Sequence, residues 1–162
     1  MNTEHLIWHY LIRPVQWLHR RLYASGRTAV LGKIVLLLTT TGRKTGQPRV
    51  TPLQFSEIDG KFVVTSSRGQ RADWFRNILA EPQVRVQVDQ RQFFARAEPV
   101  TEAVAIADYL QGWLKRHPRM VGAMMHLHRL PSKPTRLQLE DLSRSLAMVI
   151  LHPVVQNGSS RE

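Results

Sequence analysis

Two short stretches of this chain carry the residue types that handle anions. The first is Gly42-Arg43-Lys44-Thr45-Gly46, which follows the apolar run Leu36-Leu37-Leu38 and three threonines. Its two glycines admit positive φ angles, so successive backbone N–H groups can converge on an anion. Arg43, Lys44 and the hydroxyls of Thr41 and Thr45 would add charge and donors. A solvated glycine turn with incidental basic residues fits the same letters equally well. The second stretch is Ser66-Ser67-Arg68-Gly69, followed by Arg71, Trp74, Arg76 and Asn77. It falls where a strand gives way to a helix, a place where hydroxyls, a cation and helix-terminal N–H groups gather. Its plain alternative is a capped strand-to-helix turn. Together the two clusters point to an anion-lined mouth at the ends of strands.

Other chemistries find less support. A Walker phosphate loop needs a different glycine spacing and a following helix, whereas Pro48 leads into a β-rich run. No two glycines stand one residue apart, so the dinucleotide fingerprint is missing as well. Without cysteine there is no disulfide framework, thiol nucleophile or thiolate zinc site. His5 and His9 share one helix face, but no third ligand stands at a fixed spacing, and no metal centre is expected. His126 and His128 diverge on any helix, and Met120, Met124 and Met125 read as core or as an apolar pocket. No Ser-His-Asp or paired-carboxylate arrangement stands out, and no catalytic residue is assigned.

The elements that must position the two clusters follow from composition and period. The chain has 162 residues, enough for one domain with a stable core, and 43% of them are apolar. Its net charge of +11, from 23 Lys and Arg against 12 Asp and Glu, favours an anionic partner. Residues 1–24 read as an amphipathic helix with an apolar stripe of Ile7, Tyr10, Leu11, Val15, Leu18 and Leu22, interrupted by Pro14. Trp8 and Trp17 widen that stripe, which suits packing on a sheet or, as the second reading, peripheral contact with an anionic membrane. No apolar run approaches the ~18 residues of a membrane span, and a cytoplasmic setting is expected.

Strands are predicted over 34–40, 49–56, 61–67, 84–88, 93–98 and 147–151, with hairpin signals at Asp59-Gly60 and Asp89-Gln90-Arg91. Helices are predicted over 73–79, with Asp73 as N-cap, over 101–116 and over 120–129; residues 131–145 resist assignment. The expected architecture is one mainly β, α+β domain, a small antiparallel barrel of about six strands. The barrel core spans 30–100, a helical region 101–130, the last strand 146–152 and a polar tail 156–162.

With those elements in place, Thr39–Leu53 (TTTGRKTGQPRVTPL) and Phe62–Val88 (FVVTSSRGQRADWFRNILAEPQVRVQV) resemble the deazaflavin-dependent nitroreductase and quinone reductase family, which uses coenzyme F420. RSLAMVILHPV, residues 144–154, resembles that family's closing strand. The resemblance implies a split β-barrel of the FMN-binding type. It implies that Arg43, Lys44, Thr45 and Gly46 hold the coenzyme's phosphate and acidic tail. Pro52 and the segment Thr65, Ser66, Ser67, Arg68, Gly69 would border the ring, with Trp74 and Asn77 on the helix beside it. The family commonly has Pro where this chain has Ala72, and Asn where it has Glu81. The function implied is hydride transfer from the reduced deazaflavin to a quinone or nitro acceptor, with Tyr109, Trp113 and the three methionines as candidate pocket residues. FMN is the alternative cofactor. A nucleic-acid-binding barrel is a weaker alternative, so no nucleic-acid partner is expected, while pairing as a homodimer is.

Overall fold

The computed structural model describes residues 35–66 and 68–154, so the proposed N-terminal helix, Ser67 and the polar tail lie outside the described residues. The apolar run forms β1 (Val35–Thr41), with Leu36 and Leu38 fully buried. β2 (Pro48–Ile58) and β3 (Lys61–Ser66) meet at Asp59-Gly60, where φ is 50° and 74°. Two successive positive φ angles are what an Asp-Gly hairpin turn accommodates. β4 (Gln83–Val88) and β5 (Arg91–Val100) form a second hairpin, and β6 (Ala147–Pro153) completes the sheet. The six strands close antiparallel in the order β1-β2-β3-β6-β5-β4, the barrel expected from the sequence.

Period-two alternation decides what lies inside. Leu36, Leu38, Phe62, Val64, Val84, Val86, Val149 and Leu151 point inward, and α1 (Asp73–Ala80) closes one end with Trp74, Phe75 and Ile78. A second core forms on the outer face of β3 and β6. There Val63 and Met148 pack against α2 (Ala103–Arg116), α3 (Pro118–Leu127) and α4 (Arg136–Ser145) through Ile106, Leu110, Trp113, Val121, Met125 and Leu139. The fourth helix occupies the polar stretch that resisted assignment. Thr135 and Gln138 form a reciprocal capping box at its start, and Arg136, paired with Glu140 one turn on, ties the helix to Asp108 of α2.

One seam of the barrel is only half zipped. β2 faces β1 over Pro48–Gln54 but pairs with β3 only over Phe55–Ile58. β3 stays on β6 as far as Ser66 opposite Ala147, so it turns away from β2 beyond Val64. The result is an opening between β2 and β3 at the end of the barrel where the β1–β2 loop and α1 lie. Among the described residues, Pro48 and Pro52 fall within the part of β2 paired on one side only, where a missing N–H is tolerated.

Candidate functional site

The opening is a two-part groove. Its inner half, toward β3 and of about 340 Å³, lies between Thr51 and Leu53 of β2, Thr65 and Ser66 of β3, and Arg68, Ala72, Asp73 and Trp74 leading into α1. The outer half, about 510 Å³, is lined by Gly42–Thr45, Arg49, Val50 and Thr51, with Asp73, Trp74 and Asn77 opposite. Thr51, Asp73 and Trp74 belong to both halves, so the two are continuous.

The β1–β2 loop closes on itself. The Gly42 N–H donates to the Gln47 carbonyl at 2.7 Å, and the Thr45 and Gly46 N–H groups donate to the Gly42 carbonyl at 3.2 and 2.7 Å. The Gln47 N–H donates to Thr45 Oγ1 at 3.3 Å. The Arg43 N–H donates to Asn77 Oδ1 at 3.1 Å. Gly46 takes φ +66°, and a side chain at Gly42 would collide with the Gln47 carbonyl, which explains both glycines. The N–H groups of Gly42, Arg43, Thr45, Gly46 and Gln47 are therefore engaged within the protein. What the loop presents outward is side chains.

Arg43 is held by more than its backbone. Its guanidinium donates to Asn77 Oδ1 at 3.1 Å, to the Asp73 carbonyl at 3.4 Å and to the Asp73 carboxylate at 3.0 Å. Asn77, 3% exposed, in turn donates through Nδ2 at 3.1 Å to Oγ1 of Thr40, a residue only 1% exposed. One buried amide thus fixes the loop, the guanidinium and β1 together. The hydrogen bond from Arg43, then its charge, holds the Asp73 carboxyl below its ordinary value of 3.8. Asp73 is the first residue of α1, not the N-cap expected from the sequence; Ala72 takes that position without a side-chain cap. The carboxylate has turned to the guanidinium instead of to the helix N–H groups. Lys44, Arg49 and Arg68 form no ion pair among the described residues.

Of the residues singled out in the sequence, Arg43, Lys44, Thr45, Trp74 and Asn77 meet in the outer half, and Thr65, Ser66, Arg68 and Trp74 in the inner half. Gly46 shapes the loop without lining the groove. Pro52 alternates to the opposite face of β2 from Thr51 and Leu53, which border the groove in its place. Gly69 is buried with φ +57° against the Ser145 carbonyl, so it serves packing. Arg49, Thr51, Leu53 and Asp73 were missed. The first three share a strand face with Phe55 at two-residue spacing, a signal available in the letters.

The candidate acceptor residues lie elsewhere. Trp113 and Met125 are core, and Tyr109 stacks on Trp113 at 5.9 Å while its hydroxyl meets Ser56 Oγ at 2.7 Å. Burial raises the Tyr109 phenol above its usual 10.0. Met120 borders a separate groove of about 640 Å³ with Phe55–Ile58 and Arg91, at the barrel end away from the β1–β2 loop. Among the described residues no cluster of His, Asp or Glu could hold a metal ion, and no helix is long and apolar enough to cross a membrane.

Residues 11–123 match the family described as F420H(2)-dependent quinone reductase. An F420H(2)-dependent quinone reductase of Mycobacterium tuberculosis is 37% identical over 68 residues, covering 40% of this chain and 46% of that protein. A Mycobacterium bovis relative gives the same figures. The match therefore spans less than half the length of these curated relatives. Among solved structures, an F420-H2 dependent reductase superposes with a TM-score of 0.51 at 22% identity, covering 74% of this chain and 95% of that one. Another, described as a domain-swapped dimer, gives 0.52 at 21% identity over 86% of this chain and 99% of that one. At such identities these structures speak for the barrel fold.

Proposed function

Because the chain belongs to the F420H(2)-dependent quinone reductase family, we propose that its half-zipped seam binds the reduced deazaflavin coenzyme F420 and exposes it to a quinone. The observation that carries this reading is the groove's donor set. Lys44 and Arg49 line a basin that leads into a slot walled by Leu53, Trp74 and Arg68, and none of these three cations is ion-paired among the described residues. A phosphodiester with carboxylates suits the first part and a planar ring the second. Lys44, Thr45 and Arg49 hold the phosphate, and Arg43 stands behind them on Asp73 and Asn77. Thr51, Leu53, Thr65, Ser66, Arg68 and Trp74 border the ring.

When bound, the deazaflavin supplies a hydride. The chain's part is to orient and to exclude water: Trp74 is 8% exposed, and Leu53 packs against the barrel core behind the slot. Among the described lining residues Asp73 is the only carboxyl, and at neutral pH it is ionised even at its ordinary 3.8, with Arg43 holding it lower still. The groove therefore positions a donor and an acceptor without offering a proton from a carboxylic acid.

The test is equilibrium titration of the purified protein with F420 and with FMN, then hydride transfer from F420H(2) to menadione and to a nitroaromatic. Tight F420 binding, weakened in Lys44→Ala and Arg49→Ala, and reduction of menadione are expected. The proposal fails if F420 does not bind while FMN does, or while duplex DNA binds with steep salt dependence. The expected homodimer would appear in light scattering as twice the 18.7 kDa chain.

A further inference from the structure

Asp73 stands where a carboxylate is out of place. It borders both halves of a groove whose other charged side chains, Arg43, Lys44, Arg49 and Arg68, are all cationic. Its side chain is 78% exposed, and it takes the Arg43 Nη2 at 3.0 Å. The remaining contacts of Arg43 do not depend on that carboxylate. The backbone N–H and Nη1 are both on Asn77 Oδ1, and Asn77 is fixed by Thr40. Nη1 also reaches the Asp73 main-chain carbonyl. Releasing the carboxylate therefore frees one edge of the guanidinium without moving it.

We propose that Asp73 is an internal counter-anion that occupies Arg43 until a multiply charged ligand displaces it, and so sets the affinity and the anion selectivity of the groove. A phosphate arriving in the outer half meets Lys44 and Arg49 and takes over Nη2, while Asp73 turns to water on its exposed side. Arg68 and Arg76 already act on the Asp73 charge, so the carboxylate damps a cluster of cations and not a single one. A monoanion offers too little charge to make the exchange, whereas a phosphodiester with carboxylates, or pyrophosphate, does.

This inference rests on the proposed function for the identity of the ligand, but its test does not. Wild type, Asp73→Asn and Asp73→Ser are titrated calorimetrically with F420, inorganic pyrophosphate and acetate. Both variants are expected to bind pyrophosphate and F420 roughly 1.5- to 5-fold more tightly, the range of an exposed charge contact, and to discriminate less against acetate. In an Arg43→Ala background the gain should shrink to less than half. Because Asp73 is exposed, the variants should melt within a few degrees of wild type. Equal or weaker pyrophosphate binding by both variants would overturn the inference and make Asp73 a support for Arg43. If pyrophosphate binding tightens but F420 binds to none of the proteins, the inference stands and the cofactor assignment falls.

Discussion

Replacing Asn77 by Ala removes the amide on which the loop, Arg43 and β1 converge. Three hydrogen bonds disappear: Arg43 N–H to Oδ1, Arg43 Nη1 to Oδ1, and Nδ2 to Thr40 Oγ1. At about 1 kcal/mol net for each, the loss is about 3 kcal/mol, and more if the stranded Thr40 hydroxyl finds no new partner. Folded proteins of this size lose roughly 2–4 °C in Tm per kcal/mol, so Asn77→Ala should melt about 6–12 °C lower. The second effect separates this site from any other buried polar residue. With the loop untied from α1, F420 affinity should fall by about tenfold or more even at temperatures where the variant is fully folded. Thermal unfolding by circular dichroism and a fluorescence titration at 15 °C measure the two effects on one sample. Thr40→Val provides the comparison, because it breaks only the inner bond and should cost about 1–2 kcal/mol while leaving the guanidinium on Asn77. A drop in Tm below 2 °C together with unchanged affinity would refute the argument that Asn77 sets the groove.

Three further outcomes are expected. Lys44→Ala and Arg49→Ala should each weaken F420 binding by about 10- to 100-fold, as loss of a charge-assisted contact implies, and should flatten its salt dependence; isothermal titration at two ionic strengths checks this. Gly69→Ala should destabilise by at least about 2 kcal/mol in urea unfolding, since it combines φ +57° with a collision against the Ser145 carbonyl. Tyr109 holds its proton more tightly in the native state than in the unfolded chain, so stability should fall as pH rises through 10.0. Tyr109→Phe should remove that alkaline decline, seen in unfolding curves from pH 8 to 11, and leave F420 binding unchanged.

Much of the barrel was legible because period-two alternation and the Asp-Gly turn act over a few residues. Leu36, Leu38, Val84 and Val86 announce their inward face locally, and Asp59-Gly60 announces its turn. The fourth helix was missed for a different reason. Its polarity hid it, although Thr135-x-x-Gln138 was a start signal in plain view. Around the groove, Arg43, Lys44, Thr45, Trp74 and Asn77 were singled out by residue type, and they line it. Their division of labour was not, since Arg43 meets Asp73 across 30 residues of chain and no local rule reports that. Asp73 was misread because an acidic residue at a helix start looks like a cap until a guanidinium competes for it. Pro52 was expected to border the ring, and strand alternation instead turns Thr51 and Leu53 toward the groove.

The half-zipped seam bears on what the protein must avoid as well as on what it admits. A strand with one free edge invites another strand, and accretion of copies through such edges is how sheet proteins aggregate. Pro48 and Pro52 punctuate this stretch of β2, and neither carries an N–H to offer a pairing strand. A small planar molecule needs no ladder of N–H groups to enter the same gap. On the proposed reading the prolines sort guests by their mode of bonding, leaving the gap open to a ring while making it a poor template for a neighbouring backbone.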